Sequence, residues 1–83
     1  MTEQERIQQW LLETVRLMVD RPDDVKVQPT GTGDSISLRV SVHPSDIGKM
    51  IGKTGRTARS LRTIGTAIAM AHRTRFALDI IEG

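Results

Sequence analysis

Residues 35–42 read Ser-Ile-Ser-Leu-Arg-Val-Ser-Val and alternate polar and apolar without a fault. Successive side chains of a strand point to opposite faces. This segment therefore puts Ile36, Leu38, Val40 and Val42 on one face and Ser35, Ser37, Arg39 and Ser41 on the other. A strand with one apolar and one wet face belongs to a sheet covered on one side only. With 83 residues, the chain has room for one domain, a thin core and no deep cleft.

The flanking segments supply the cover. Thr2-Glu-Gln-Glu5 has the spacing of a capping box. Ile7, Trp10, Leu11, Val15, Met18 and Val19 then recur at helical intervals, predicting a helix over about 3–20 that stops before Pro22. Val25–Gln28 reads as a short strand, joined to 35–42 by a glycine-rich turn at 29–34. Pro44 breaks the strand, and Ser45 or Asp46 can cap a short helix ending near residue 51. A longer helix is predicted over about 56–73, with Ala58, Leu61, Ile64, Gly65, Ile68 and His72 on one side. Arg59, Arg62, Thr66 and Arg73 cluster roughly 130° away from them. Gly65 costs a helix interior about 1 kcal/mol relative to Ala, so close packing is expected to require it. Residues 75–81 alternate again, with Phe76, Leu78 and Ile80 inward. The expected order is α-β-β-α-α-β: an α+β domain spanning 1–83, with a three-stranded sheet and helices packed on one face.

Charge is divided along the chain. Residues 1–42 hold five Lys/Arg against seven Asp/Glu, and residues 43–83 hold seven against three. The stretch 49–75 carries Lys49, Lys53, Arg56, Arg59, Arg62, Arg73 and Arg75 and no acid, which points to an anionic partner, nucleic acid first. With one Trp, one Phe and no Tyr, the chain lacks the aromatics of a stacking platform. Any RNA must be held by charge, backbone contacts and an aliphatic groove. There is no cysteine, hence no disulfide, no thiolate nucleophile and no Cys-based zinc site, and a reducing cytoplasm is compatible. No apolar run approaches the roughly 20 residues of a membrane span, and the polar N-terminus does not read as a signal peptide.

The segment richest in chemistry is Gly52-Lys53-Thr54-Gly55, between the two predicted helices. Its glycines permit a tight turn and close approach of a ligand backbone. The following helix directs its free amides at the same corner. Lys53 adds a charge, Thr54 a hydroxyl, and Lys49 and Arg56 flank the turn. A glycine as a helix C′ cap explains one of the two, not both at this spacing.

Ile47-Gly-Lys-Met-Ile-Gly-Lys-Thr-Gly-Arg-Thr-Ala58 resembles the KH-domain signature, in which an Ile-Gly-x-x-Gly core joins two helices and clamps about four nucleotides. The element order matches the type II arrangement. The resemblance covers nearly the whole chain and is closest to small stand-alone bacterial KH proteins, whose Ile-Gly-Lys-x-Gly-Arg-Thr run and following Leu-Arg-Thr (61–63) recur here. Ala58 departs from the bulky aliphatic often found there and implies a shallower groove floor.

The resemblance implies that Gly52, Lys53, Thr54 and Gly55 form the clamp, flanked by Lys49, Arg56 and Arg59. Ile47, Met50 and Ile51, with Val40 or Val42, would line or support an aliphatic groove, and each also reads as ordinary core. It further implies a non-catalytic, cofactor-free cytoplasmic protein that binds single-stranded RNA as a chaperone or post-transcriptional regulator. The implied assembly is a homodimer, or a heterodimer with a Jag-type (KhpB) protein, linked to cell shape and peptidoglycan homeostasis. No membrane or small-molecule substrate is expected.

Other readings compete. Gly48 to Thr54 approaches a P-loop, but a Walker A motif needs four residues between its glycines, and here there are three. Gly31-Thr-Gly33 reads only as a hairpin turn. His43, Ser45 and Asp46 crowd into four positions and suit capping better than a catalytic triad. His43 and His72 lie far apart, with no cysteine to complete a metal site. His72 reads as a packed or paired histidine, and Trp10 as core or as a partner-binding anchor. A helix-turn-helix DNA binder and a protein assembly module remain the alternative functions.

Overall fold

A computed structural model describes residues 2–31 and 35–83. Among the described residues, three α-helices and three strands run in the order α1 (Glu3–Arg16), β1 (Lys26–Pro29), β2 (Ile36–Val42), α2 (Ile47–Ile51), α3 (Arg56–Ala71) and β3 (Phe76–Glu82). This is the α+β type II KH arrangement. Strand β2 is central, antiparallel to β1 (Val27 opposite Val40) and parallel to β3 (Ile36 opposite Phe76 through Val42 opposite Glu82). A parallel pair cannot be closed by a hairpin, so the chain leaves β2, passes through α2 and α3, and returns as β3. Positions 32–34 of the glycine-rich turn, and with them the Gly31-Thr-Gly33 reading, fall outside the described residues.

The alternation of 35–42 decides where the core sits. Ile36, Leu38, Val40 and Val42 are buried and pack in one cluster with Ile7, Leu11 and Val15 of α1, Met50 of α2, Leu61 of α3 and Leu78 of β3. Arg39, on the opposite face, is exposed and pairs with Asp79 at 3.4 Å. Trp10 is half-buried and packs against the cluster.

Gly65 is buried in α3, and a Cβ there would overlap the ring of Phe76. The expected close approach is therefore that of α3 onto β3. Of the helix face expected to be buried, Ala58, Leu61 and Gly65 are buried and Ile68 is half-buried, but His72 is exposed and Ile64 is 49% exposed; Ala69, not expected there, is buried. Ile64 lies at the margin of the apolar stripe, and the thin core does not reach it.

Two helix ends fall short of expectation, each for a visible reason. Helix α1 closes at Arg16 with the tight bonds Leu17 N–H to Thr14 O and Met18 N–H to Val15 O. Beyond it, the amides of Asp20 and Arg21 donate to the two carboxylate oxygens of Asp46, each at 3.1 Å, and so are withdrawn from any helical ladder. Asp46 is fully buried and does not cap α2. The turn before α2 is capped instead by His43, whose Nδ1 accepts from the Ser45 amide at 3.1 Å. At the other end, α3 closes at Ala71 in a Schellman arrangement: Thr74 N–H reaches Ala69 O and Arg73 N–H reaches Met70 O, both at 3.0 Å. Arg73 occupies the left-handed position, φ 58°, usually given to glycine. His72, just before it, pairs with Glu3 at 3.3 Å.

Candidate nucleic-acid interface

Three of the four loop residues have positive φ: Gly52 at 73°, Thr54 at 54° and Gly55 at 76°. At Gly52 the backbone is extended in ψ (176°), and a Cβ would run into the Thr57 side chain and lie 3.0 Å from the Thr57 amide. Gly52 is thus required twice, by its dihedral and by the first turn of α3 pressed against it. Nothing crowds Gly55, and only its dihedral favours glycine there. Thr54 is β-branched and left-handed, a conformation costing about 1–3 kcal/mol that persists where the surroundings enforce it. Its hydroxyl donates to the Lys53 carbonyl at 2.6 Å.

The loop faces water. Lys53 and Thr54 are exposed, Gly52 and Gly55 half-buried. No side chain caps the N-terminus of the 16-residue α3, so its leading amides and positive dipole end open toward the loop. Arg56 and Arg59 are exposed on the first turns of that helix. Lys49, also exposed, forms an ion pair with Asp20. That pair ties α2 to the segment after α1 and engages a cation expected at the phosphate corner.

Beside the loop lies a groove of about 380 Å³, lined by Ile51, Gly55, Ala58, Arg59, Arg62, Asp79 and Ile80. Its apolar lining comes from Ile51, which is 45% exposed, and from Ala58 and Ile80. The other expected groove residues stand behind this surface. Val40 and Met50 are completely buried, Val42 nearly so, and Ile47 is half-buried against the same core. They support the groove and do not line it.

The reason is sheet order. β2 is flanked on both edges, so Val40 is sealed, while its register partner Ile80 sits on the edge strand and reaches the opening. Ile80, Asp79 and Arg62 are the groove residues that sequence reasoning left out of the site. The alternation of 75–81 marks Ile80 as inward but not as an edge position. Arg62 was visible only as part of a basic stripe. Its Nε donates to the Leu78 carbonyl at 3.3 Å, which holds the guanidinium across the open edge of β3.

The site therefore combines an exposed loop of high curvature, uncapped helix amides, four cations on the loop and α3 (Lys53, Arg56, Arg59 and Arg62), and a shallow aliphatic floor. Among the described residues, no group of three or more His, Cys, Asp or Glu is placed to hold a metal ion, and no helix is long and apolar enough to cross a membrane.

Comparison with known proteins gives a consistent result. A family model described as KhpA/KhpB, KH domain, matches residues 8–80. The chain is 49% identical over 65 residues to the RNA-binding protein KhpA of Halalkalibacterium halodurans, covering 78% of this chain and 86% of that one. It is 39% identical over 82 residues to the RNA-binding protein KhpA of Bacillus subtilis, covering 99% and 100%. With the RNA-binding protein KhpA of Treponema pallidum the identity is 50% over 68 residues, covering 81% and 84%. No solved structure matches the chain.

Proposed function

The chain belongs to the KhpA/KhpB family of KH domains, and from that premise we propose that it is a non-catalytic protein that binds single-stranded RNA through the loop Gly52-Lys53-Thr54-Gly55. The observation that carries this reading is the loop itself. Its two variable residues are exposed, its backbone is held in left-handed geometry, and it abuts an uncapped helix N-terminus beside a shallow apolar groove. Such a corner suits a phosphodiester, with Lys53, Arg56 and Arg59 supplying charge and the helix amides supplying donors. The bases would lie over Ile51, Ala58 and Ile80. The floor is too small and too aliphatic for strong base selection, so binding is weak and tolerant of sequence. That profile fits an RNA chaperone or post-transcriptional regulator in the cytoplasm, acting as a homodimer or with a KhpB/Jag-type partner in cell-shape and peptidoglycan homeostasis.

The test replaces Lys53 and Thr54 together with Asp and measures binding of single-stranded RNA by a variant shown to be folded. Loss of binding is expected. Unchanged binding removes the loop from the mechanism.

A second reading, a protein assembly module with incidental RNA affinity, is favoured by the exposed apolar side chains Leu17 (89%), Met70 (69%) and Ile64 (49%). A helix-turn-helix DNA binder is disfavoured by α2, whose five residues are too few for a supporting helix. Competition between single-stranded RNA and duplex DNA separates these, since duplex preference would support the DNA reading.

A further inference from the structure

A further hollow adjoins the groove beside the loop. This second trough, about 410 Å³, runs along the outer side of α3 and is lined by Arg59, Arg62, Thr63, Thr66, Ala67 and Met70. Arg59 and Arg62 line both hollows, so the two adjoin at these side chains. Helix α3 carries three arginines and no acid. From Arg59 to Met70 the helix rises roughly 16 Å, and Arg73, a further cation, follows two residues past its end.

We propose that this trough is a second segment of the RNA path, which carries the strand beyond the loop and along α3. The inference rests on the reading of the loop as an RNA clamp. Two observations support it: adjacency to the groove at Arg59 and Arg62, and charge complementarity. Arg62 is held at the junction by its bond to the Leu78 carbonyl, with its terminal nitrogens left to donate to phosphate. Thr66 adds a hydroxyl donor, whereas the Thr63 hydroxyl proton is given to the Arg59 carbonyl at 2.9 Å. The exposed thioether of Met70 and the Ala67 methyl give the trough an apolar end on which a base can rest without an aromatic partner. The footprint is then longer than the roughly four nucleotides a single KH groove holds.

The experiment compares single-stranded RNA of about four and about ten nucleotides, with the full chain and with Thr66→Glu and Thr66→Glu/Met70→Glu. Both positions lie outside the groove beside the loop, and thermal melts establish that the variants are folded. A longer strand gains affinity merely by offering more registers, so the variants decide. The expected result is unchanged binding of the short RNA and a loss of roughly two- to fivefold per acidic substitution on the long one, the range of exposed charge interactions. Thr66→Lys should shift the long RNA in the opposite direction. The proposal is overturned if both lengths respond alike, if the long RNA is indifferent to all three variants, or if the acidic variants act only by changing the sedimentation mass. The last outcome would assign this face to a second copy of the chain. Failure of the unmodified protein to bind either length would instead reject the loop as an RNA clamp, and this proposal with it.

Discussion

At Gly65 and Phe76, one residue's missing Cβ is filled by another's ring. Gly65→Ala regains about 1 kcal/mol of helix propensity but forces the Phe76 ring off α3, an overpacking cost of about 1–3 kcal/mol. Net destabilisation of up to about 2 kcal/mol is expected in denaturant titration. Phe76→Leu in the same background should return part of it, because the smaller side chain leaves room. Asp46 has the opposite character, a buried carboxylate whose acceptors are both used by the Asp20 and Arg21 amides. Asp46→Ala orphans those two donors and should cost about 2–4 kcal/mol, and Asp46→Asn, which keeps one acceptor oxygen, about half as much. Arg73 offers a gain. Its φ of 58° costs an L-residue about 1 kcal/mol that glycine does not incur. Arg73→Gly should therefore raise the melting temperature by about 4–8 °C for a domain of this size.

The proposed functional element is the unit formed by α2, the loop and α3. Helix α2 is too short to be stable alone. It is fixed by the fully buried Met50, by the Lys49–Asp20 pair and by the Asp46 carboxylate beneath its first turn. Helix α3 is fixed by its apolar stripe and by the approach at Gly65. The loop bridges two anchored helices and its curvature is imposed from both sides, which explains how Thr54 is held left-handed. An element of this kind contacts a polynucleotide mainly through phosphates. The RNA affinity of the protein should fall with salt at a log–log slope of about −2 to −3, given about −0.7 per phosphate on single strands and three or four contacts. Lys53→Gln and Arg59→Gln should each flatten that slope by about 0.7. Lys49→Gln should change it less, since Lys49 is already paired with Asp20.

At the scale of the whole molecule, the sheet keeps one covered face, and the helices that cover it leave Leu17 and Ile64 exposed outside the proposed RNA path. An 83-residue chain with a thin core and exposed apolar side chains gains from pairing. The proposed self-assembly predicts a solution mass above that of one chain in sedimentation. A strict monomer at high concentration would refute it, leaving assembly with a different protein.

The sequence alone determined the element order, the strand facing, the loop and its cations, because each depends on local periodicity or on a short motif whose spacing carries its own geometry. The alternation of 35–42 set the core face, and two glycines separated by Lys53 and Thr54 marked the proposed site. Tertiary structure decided the rest. Whether Val40 or Ile80 reaches the groove depends on which strand lies at the edge, a matter of pairing between segments 40 residues apart in register. Where α1 stops depends on a carboxylate 26 and 25 residues away from the two amides it takes. Local pattern fixes which way a side chain faces; only the assembled sheet fixes what stands in front of it.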